Sequence, residues 1–188
     1  LGWMLRSATR SYFYPFITSI SQQIGTTAEK GFSFTLDAGF GASNTYALRG
    51  VRFSIGLTGF AAGQTFVANL YSNTGGATPT ILQTTGELDS DALGGTTASR
   101  GLEIIFPEDT LTALTPGTKY GVGLSCTNAT SGSINTFTLA DASARSAFPS
   151  PQLTYMTRTL ASAYPPDASD GAFTETTSTI VSAELIIG

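Results

Sequence analysis

Apolar residues recur at every second position in run after run along this chain. Between Leu48 and Ser72, Val51, Phe53, Ile55 and Leu57 alternate. After the break Gly59-Phe60-Ala61-Ala62-Gly63 the pattern resumes with Phe66, Ala68 and Leu70. Side chains of a strand point alternately to its two faces. Each run therefore offers one face to a core and the other, carrying Arg52, Ser54, Gln64 and Asn69, mostly to water. Two such runs about a glycine-containing break predict a β-hairpin. The same alternation marks Phe32, Phe34 and Leu36, then Leu102, Ile104 and Phe106, then Tyr120, Val122, Leu124 and Cys126. In the closing stretch, Val181, Ala183, Leu185 and Ile187 share one face. Shorter extended segments are read at Ile81 to Thr85, Ile134 to Leu139 and Leu153 to Leu160.

Turn chemistry separates these runs. Thr115-Pro116-Gly117-Thr118 is the clearest case, because proline presets φ at the second position and glycine takes the positive φ of the third. Glycine and proline also punctuate Ser72 to Pro79, while Glu87 to Ser99 and Ala140 to Pro151 read as loops. About eight to ten short strands, with no credible helix longer than a turn or two, predict an all-β antiparallel sandwich. The apolar face of the last strand suits a central position in a sheet, which favours a jelly roll over an immunoglobulin-like arrangement. The domain is placed at residues 28–188, preceded by an extended N-terminal arm, residues 1–27. That arm carries Trp3, Arg6, Arg10, Tyr12, Phe13, Tyr14 and Phe16. It has two readings: it covers an open sheet edge of its own domain, or its aromatics anchor it to a neighbouring subunit or a particle surface.

Composition narrows the function more by exclusion than by assignment. A chain of 188 residues buries about 70% of its unfolded surface and needs neither metal nor disulfide. The one cysteine, Cys126, lies in an apolar alternation and reads as a small buried hydrophobe. Nine basic residues against thirteen acidic ones, a net charge of -4, supply no basic stripe for nucleic acid. No stretch has the roughly 18 apolar residues of a membrane span. There is no histidine, which removes histidine-dependent triads and nearly all zinc catalysis. The glycine-rich stretches lack phosphate-loop spacing, so no enzyme and no cofactor are expected. Two acidic loops, Glu87 with Asp89 and Asp91, and Asp167 with Asp170, carry the oxygen ligands that calcium uses. Neither matches an EF-hand loop, and both suit ordinary turns.

Some residues resemble known families. Val51-Arg52-Phe53, the segment Phe66 to Ser72 with Gly75-Gly76, and Leu114-Thr115-Pro116-Gly117-Thr118-Lys119-Tyr120 look like the β-sandwich modules called choice-of-anchor domains. The aromatic such modules carry in their last loop-to-strand passage is Phe173 here. Arg10-Ser11-Tyr12-Phe13-Tyr14-Pro15 resembles the N-termini of jelly-roll structural proteins of tailed phages. The resemblance implies a non-catalytic role in display, attachment to a particle, or glycan binding.

The expectation is a virion structural protein, a capsid-decoration or head-fibre subunit. It would form a homo-oligomer, taken as a trimer, and attach to a capsid or other virion protein. One alternative is a carbohydrate-binding surface module in which Tyr46, Tyr155 or Tyr164 stacks on a sugar, such as a host-surface glycan. A second is a subunit of a bacterial surface layer or extracellular filament.

Overall fold

A computed structural model of the protein describes residues 8–10, 19–36, 46–55, 63–72, 74–89, 100–127, 133–138, 153–161, 164–181 and 183–188. Fourteen strands run through them: β1 (Ala8–Arg10), β2 (Ser19–Gln23), β3 (Ala28–Thr35), β4 (Tyr46–Ile55), β5 (Thr65–Ser72), β6 (Thr80–Thr84), β7 (Leu88–Asp89), β8 (Arg100–Ile105), β9 (Ala113–Leu114), β10 (Lys119–Cys126), β11 (Ser133–Thr138), β12 (Thr154–Thr159), β13 (Thr174–Val181) and β14 (Ala183–Ile187). Among the described residues there is no α-helix, only single 3-10 turns at Glu108–Thr110 and Ala168–Asp170. The expected all-β class and antiparallel pairing are therefore present.

The ladders form two antiparallel sheets, joined where Ile55 of β4 pairs with Ile134 of β11. The small sheet runs β1-β14-β4, with β8 on the far side of β4 and β9 against its first residues. The large sheet runs β2-β11-β13-β12-β3-β10-β5-β6, with β7 also on β5. The C-terminal extended stretch passes from one sheet to the other, since Val181 pairs with β11 and Ala183 pairs with β4. β14 lies between β1 and β4, inside its sheet as its apolar face requires. The two described strands of the N-terminal segment lie at sheet edges among the described residues, β1 on the small sheet and β2 on the large one.

The sandwich core fills the space between the sheets. Phe32 of the large sheet meets Phe53 of the small one, with ring centroids 5.5 Å apart. Around them Val51, Phe66, Leu70, Val122, Leu124, Tyr155, Val181 and Leu185 are buried in one cluster. Cys126 is buried there too. The turn at Thr115 to Thr118 closes with Thr118 N–H donating to the Thr115 carbonyl at 3.1 Å, and Gly117 takes a φ of 80°.

The expected hairpin between Val51 and Leu70 is not formed. β4 pairs with β14, β8, β9 and β11, whereas β5 pairs with β10, β6 and β7. Alternation fixes which side of a strand is apolar, and that side faces the same core whether the next strand pairs with it or crosses to the opposite sheet. Leu57 and the glycine-containing break lie outside the described residues.

Candidate functional site

On β3, β5, β10 and β12 the face of the large sheet turned away from the sandwich core is also buried, and it holds the densest group of chemically capable side chains among the described residues. On β3 the residues that alternate with Phe32 and Phe34 are Glu29, Gly31 and Ser33. On β5 they are Val67, Asn69 and Tyr71, on β10 Gly121, Gly123 and Ser125, and on β12 Thr154, Met156 and Arg158. The register sets Asn69, Gly123, Gly31 and Met156 in one row and Tyr71, Gly121, Ser33 and Thr154 in the next, with Arg158 opposite Glu29. Glycines thus form a trench across the sheet.

That trench lets long side chains lie flat. A Cβ at Gly123 would sit 2.3 Å from Glu29 Oε1, and one at Gly121 would sit 2.7 Å from the terminal methyl of Met156. A Cβ at Gly31 would come within 1.8 Å of the Val122 carbonyl oxygen. No side chain larger than hydrogen fits these positions while the neighbours stay in place.

Over the trench, Glu29, Tyr71 and Arg158 join in a closed hydrogen-bonded cluster. Arg158 Nε donates to Glu29 Oε2 at 2.8 Å, and Arg158 Nη2 donates to the Tyr71 hydroxyl at 2.7 Å. The Tyr71 hydroxyl donates to the Glu29 carboxylate, 2.9 and 3.0 Å from its two oxygens, and accepts from Asn69 Nδ2 at 3.0 Å. The Arg158 guanidinium carbon lies 4.9 Å from the Tyr71 ring centroid and 4.7 Å from that of Phe173, so the cation lies beside both rings. Glu29 and Tyr71 are 0% exposed and Arg158 is 3% exposed.

A strap formed by residues 164–173 closes the cluster from outside. Its Phe173 ring packs edge-on to Tyr71 at 5.0 Å, and its Gly171 carbonyl accepts from Arg158 Nη1 at 3.3 Å. Two carboxylates fold the strap and tie it to Ala161, just past β12. Asp170 accepts from the Ala161 N–H at 2.7 Å and the Asp167 N–H at 2.8 Å, while Asp167 accepts from the Ser169 N–H at 2.7 Å. This is a capping box around the short 3-10 turn.

Burial dominates the electrostatics. It pushes the Glu29 carboxyl up from 4.5 to about 7, although Arg158 and the Tyr71 hydrogen bond pull the other way. Burial, helped by the Glu29 charge, holds the Tyr71 phenol far above its ordinary range. A carboxyl poised near neutrality has the right acidity for general acid-base work. Here its hydrogen-bond partners are protein groups and the group is sealed from solvent, so the arrangement fastens strands and strap together.

Of the residues expected from sequence, Tyr164, Asp167 and Asp170 fall on the strap, and Tyr46, Tyr155 and Asp89 lie away from the cluster. Trp3, Arg6, Tyr12, Phe13, Tyr14, Phe16 and Asp91 are outside the described residues, and of Arg10 only the strand backbone is described. Tyr155 is buried in the sandwich core, so its ring offers no face to a sugar. Tyr46 is half-buried against that core. Tyr164, on the strap, is half-buried too, and burial raises its phenol. Asp89 lies exposed on β7, and Asp167 and Asp170 accept from backbone N–H groups of the strap and of Ala161. Among the described residues no three carboxylate or thiol side chains gather as a metal site, and no helix is long and apolar enough to cross a membrane.

Glu29, Arg158 and the glycine trench were not singled out by the sequence reading, and Asn69 and Gln64, expected to face water, are each 2% exposed. One signal was there: the apolar alternation of β10 is interleaved with Gly121, Gly123 and Ser125. A strand that is all small on its second face has something lying close against it.

Fold and cluster together define a two-sheet antiparallel β-sandwich with a second, ion-paired core on the outside of its large sheet. Comparisons with protein-family models, with curated proteins and with solved structures gave no match to this chain.

Proposed function

We propose that this protein is a non-enzymatic structural subunit of the jelly-roll kind, a capsid-decoration or head-fibre component of a virion. It works by assembling with copies of itself and attaching to a particle. The observation that carries the reading is the position of the N-terminal segment. Its two described strands lie at sheet margins among the described residues, β1 against β14 and β2 against β11, while Ile24, which follows β2, is buried in the sandwich core. In sequence, Trp3 precedes β1, and Tyr12, Phe13, Tyr14 and Phe16 fall between the two strands. In sequence, the chain's densest aromatic run therefore falls between two strands that lie at sheet margins among the described residues.

Burying those rings on a partner yields roughly 25 cal/mol per Å² of apolar area, set against the cost of association and ordering. The buried Glu29 cluster supports the same reading, because the most chemically capable group described is committed to holding the fold.

The test is the mass of the protein in solution by light scattering, for the full chain and for a variant with Trp3, Tyr12, Phe13, Tyr14 and Phe16 all changed to alanine. A closed homo-oligomer, a trimer on this reading, that falls to a folded monomer in the variant supports assembly through this segment. An oligomer unchanged in the variant, or a full chain that stays monomeric at high concentration, overturns it.

A further inference from the structure

The two sheets present edges of different kinds. On the large sheet β6 is preceded by Pro79, and its register against β5 shifts between Leu70 and Tyr71. Both features spoil an edge for further pairing. On the small sheet β8 has neither. It pairs with β4 in an unbroken register from Ile105 opposite Gly50 to Arg100 opposite Ile55, and among the described residues no strand lies on its other side. The Phe106 N–H donates to the Arg49 carbonyl at 2.9 Å. Backbone groups of the even-numbered residues therefore turn to β4, and those of Glu103 and Ile105 turn outward. Ile105 is 53% exposed, the one large apolar side chain so placed among the described residues. A regular open edge beside an exposed apolar side chain is a template for an added strand.

We propose, resting on the assembly reading above, that the outer edge of β8 is the seat for residues 1–7 of a neighbouring copy, added antiparallel as the next strand of the small sheet. In Leu1-Gly2-Trp3-Met4-Leu5-Arg6-Ser7 no proline interrupts, and Leu1, Trp3 and Leu5 alternate with Gly2, Met4 and Arg6. One register suits both chains. It sets Arg6 opposite Glu103 and Met4 opposite Ile105 on the solvent side, where Glu103 and Ile105 are exposed. On the core side it sets Leu5 level with Ile104 and Trp3 level with Phe106, both of which are buried. Opposite charges meet, and apolar residues meet apolar ones. A slip of one residue turns Trp3 and Leu5 to water. A slip of two sets Arg6 against Ile105, or Met4 against Glu103.

The donor is another copy for a reason of reach. Residues 1–7 precede β1, which lies across β14 and β4 from β8. A strand added to β8 lies four strand spacings from β1, about 19 Å. Seven residues span at most about 24 Å when fully extended, so crossing their own sheet leaves only one or two of them to pair. A neighbouring copy has no such crossing to make. The same gift from each subunit to the next closes a ring.

Two experiments test the seat. A hydrogen-bonded antiparallel pair holds its Cα atoms about 5.5 Å apart, within disulfide reach, so the double variant Arg6→Cys/Glu103→Cys is oxidised and run on a non-reducing gel. Covalent multimers are expected, with none from Arg6→Cys/Asp89→Cys, whose second site lies on β7 of the other sheet. A disulfide closed within one chain, no disulfide, or equal multimers from the second pair overturns the proposal. Ile105→Pro removes an outward N–H that the pairing with β4 does not use. By light scattering its mass is expected to fall to that of a monomer with the far-ultraviolet circular dichroism of the wild type. A folded Ile105→Pro that keeps the wild-type mass overturns the seat on β8, while the loss of mass in the variant with alanine at Trp3, Tyr12, Phe13, Tyr14 and Phe16 would still uphold assembly through the N-terminal segment. A full chain that is monomeric overturns both. If Ile105→Pro does not fold, the gel decides.

Discussion

On the inner face of the large sheet, Phe32, Leu70, Val122 and Tyr155 meet the small sheet in a wholly apolar cluster. On the outer face of the same four strands, Glu29, Tyr71, Gly123 and Arg158 meet a strap in a cluster built on one ion pair. Both faces are sealed from water, yet they are stabilised by different physics. The inner core gains from every apolar atom removed from water, independently of pH. The outer core must offset the desolvation of a carboxylate and a guanidinium, which a buried pair does only when its remaining donors and acceptors are satisfied. Here they are: the tyrosine, the asparagine and a strap carbonyl complete the set. The contrast teaches that an apolar core tolerates loss in proportion to volume, whereas an ionic core responds to charge state and to exact spacing.

Breaking the spacing has the largest effect. Gly31→Ala is expected to abolish the cooperative thermal transition, because its Cβ would meet the Val122 carbonyl, a backbone atom fixed in the ladders on both sides of β10. A cooperative unfolding curve near that of the wild type would show that the trench is not needed.

Breaking the charge comes next. Arg158→Met leaves Glu29 buried without its cation, a loss of about 3–5 kcal/mol in urea denaturation above pH 7, and a smaller loss near pH 4.5 where the carboxyl is neutral. Phe53→Ala, the matching deletion in the inner core, is expected to cost about 3–5 kcal/mol as well. Its stability profile against pH should run parallel to that of the wild type. If the two variants show the same pH dependence, the distinction between the cores fails.

The smallest effect is expected at the solvent-facing side of the small sheet. There Arg52 of β4 pairs with Glu184 of β14 at 2.9 Å and with Glu103 of β8. These groups are hydrated, and exposed pairs contribute little. Arg52→Ala should leave the unfolding midpoint unchanged within error by calorimetry.

The inner core was legible in the sequence because one number, the period of two, decides both that a segment is a strand and which of its residues are apolar. Phe32 and Phe34, Val51 and Phe53, and Tyr120, Val122, Leu124 and Cys126 are buried as that period requires. Partner choice was not legible: β4 and β5 carry the pattern of a hairpin and lie in opposite sheets. The outer cluster was hidden for another reason. Glu29 and Arg158 are 129 positions apart, and an isolated acid or base within a strand reads as solvent-facing. Only the all-small second face of β10 hinted that this side of the sheet is covered. Phe173, noted by its place before the last extended stretch, is the ring that covers Arg158.

The central claim is that the ionisable groups gathered at Glu29 serve the fold. It is tested most directly by the unfolding free energy of the wild type and of Glu29→Gln measured against pH. A buried carboxyl whose folded value is raised above its unfolded one stabilises the fold fully below pH 4.5 and loses that contribution by about pH 7. The gap between the two proteins should therefore move by about 3 kcal/mol in favour of Glu29→Gln across that window. Profiles that stay parallel from pH 4.5 to 7 and beyond would contradict the account.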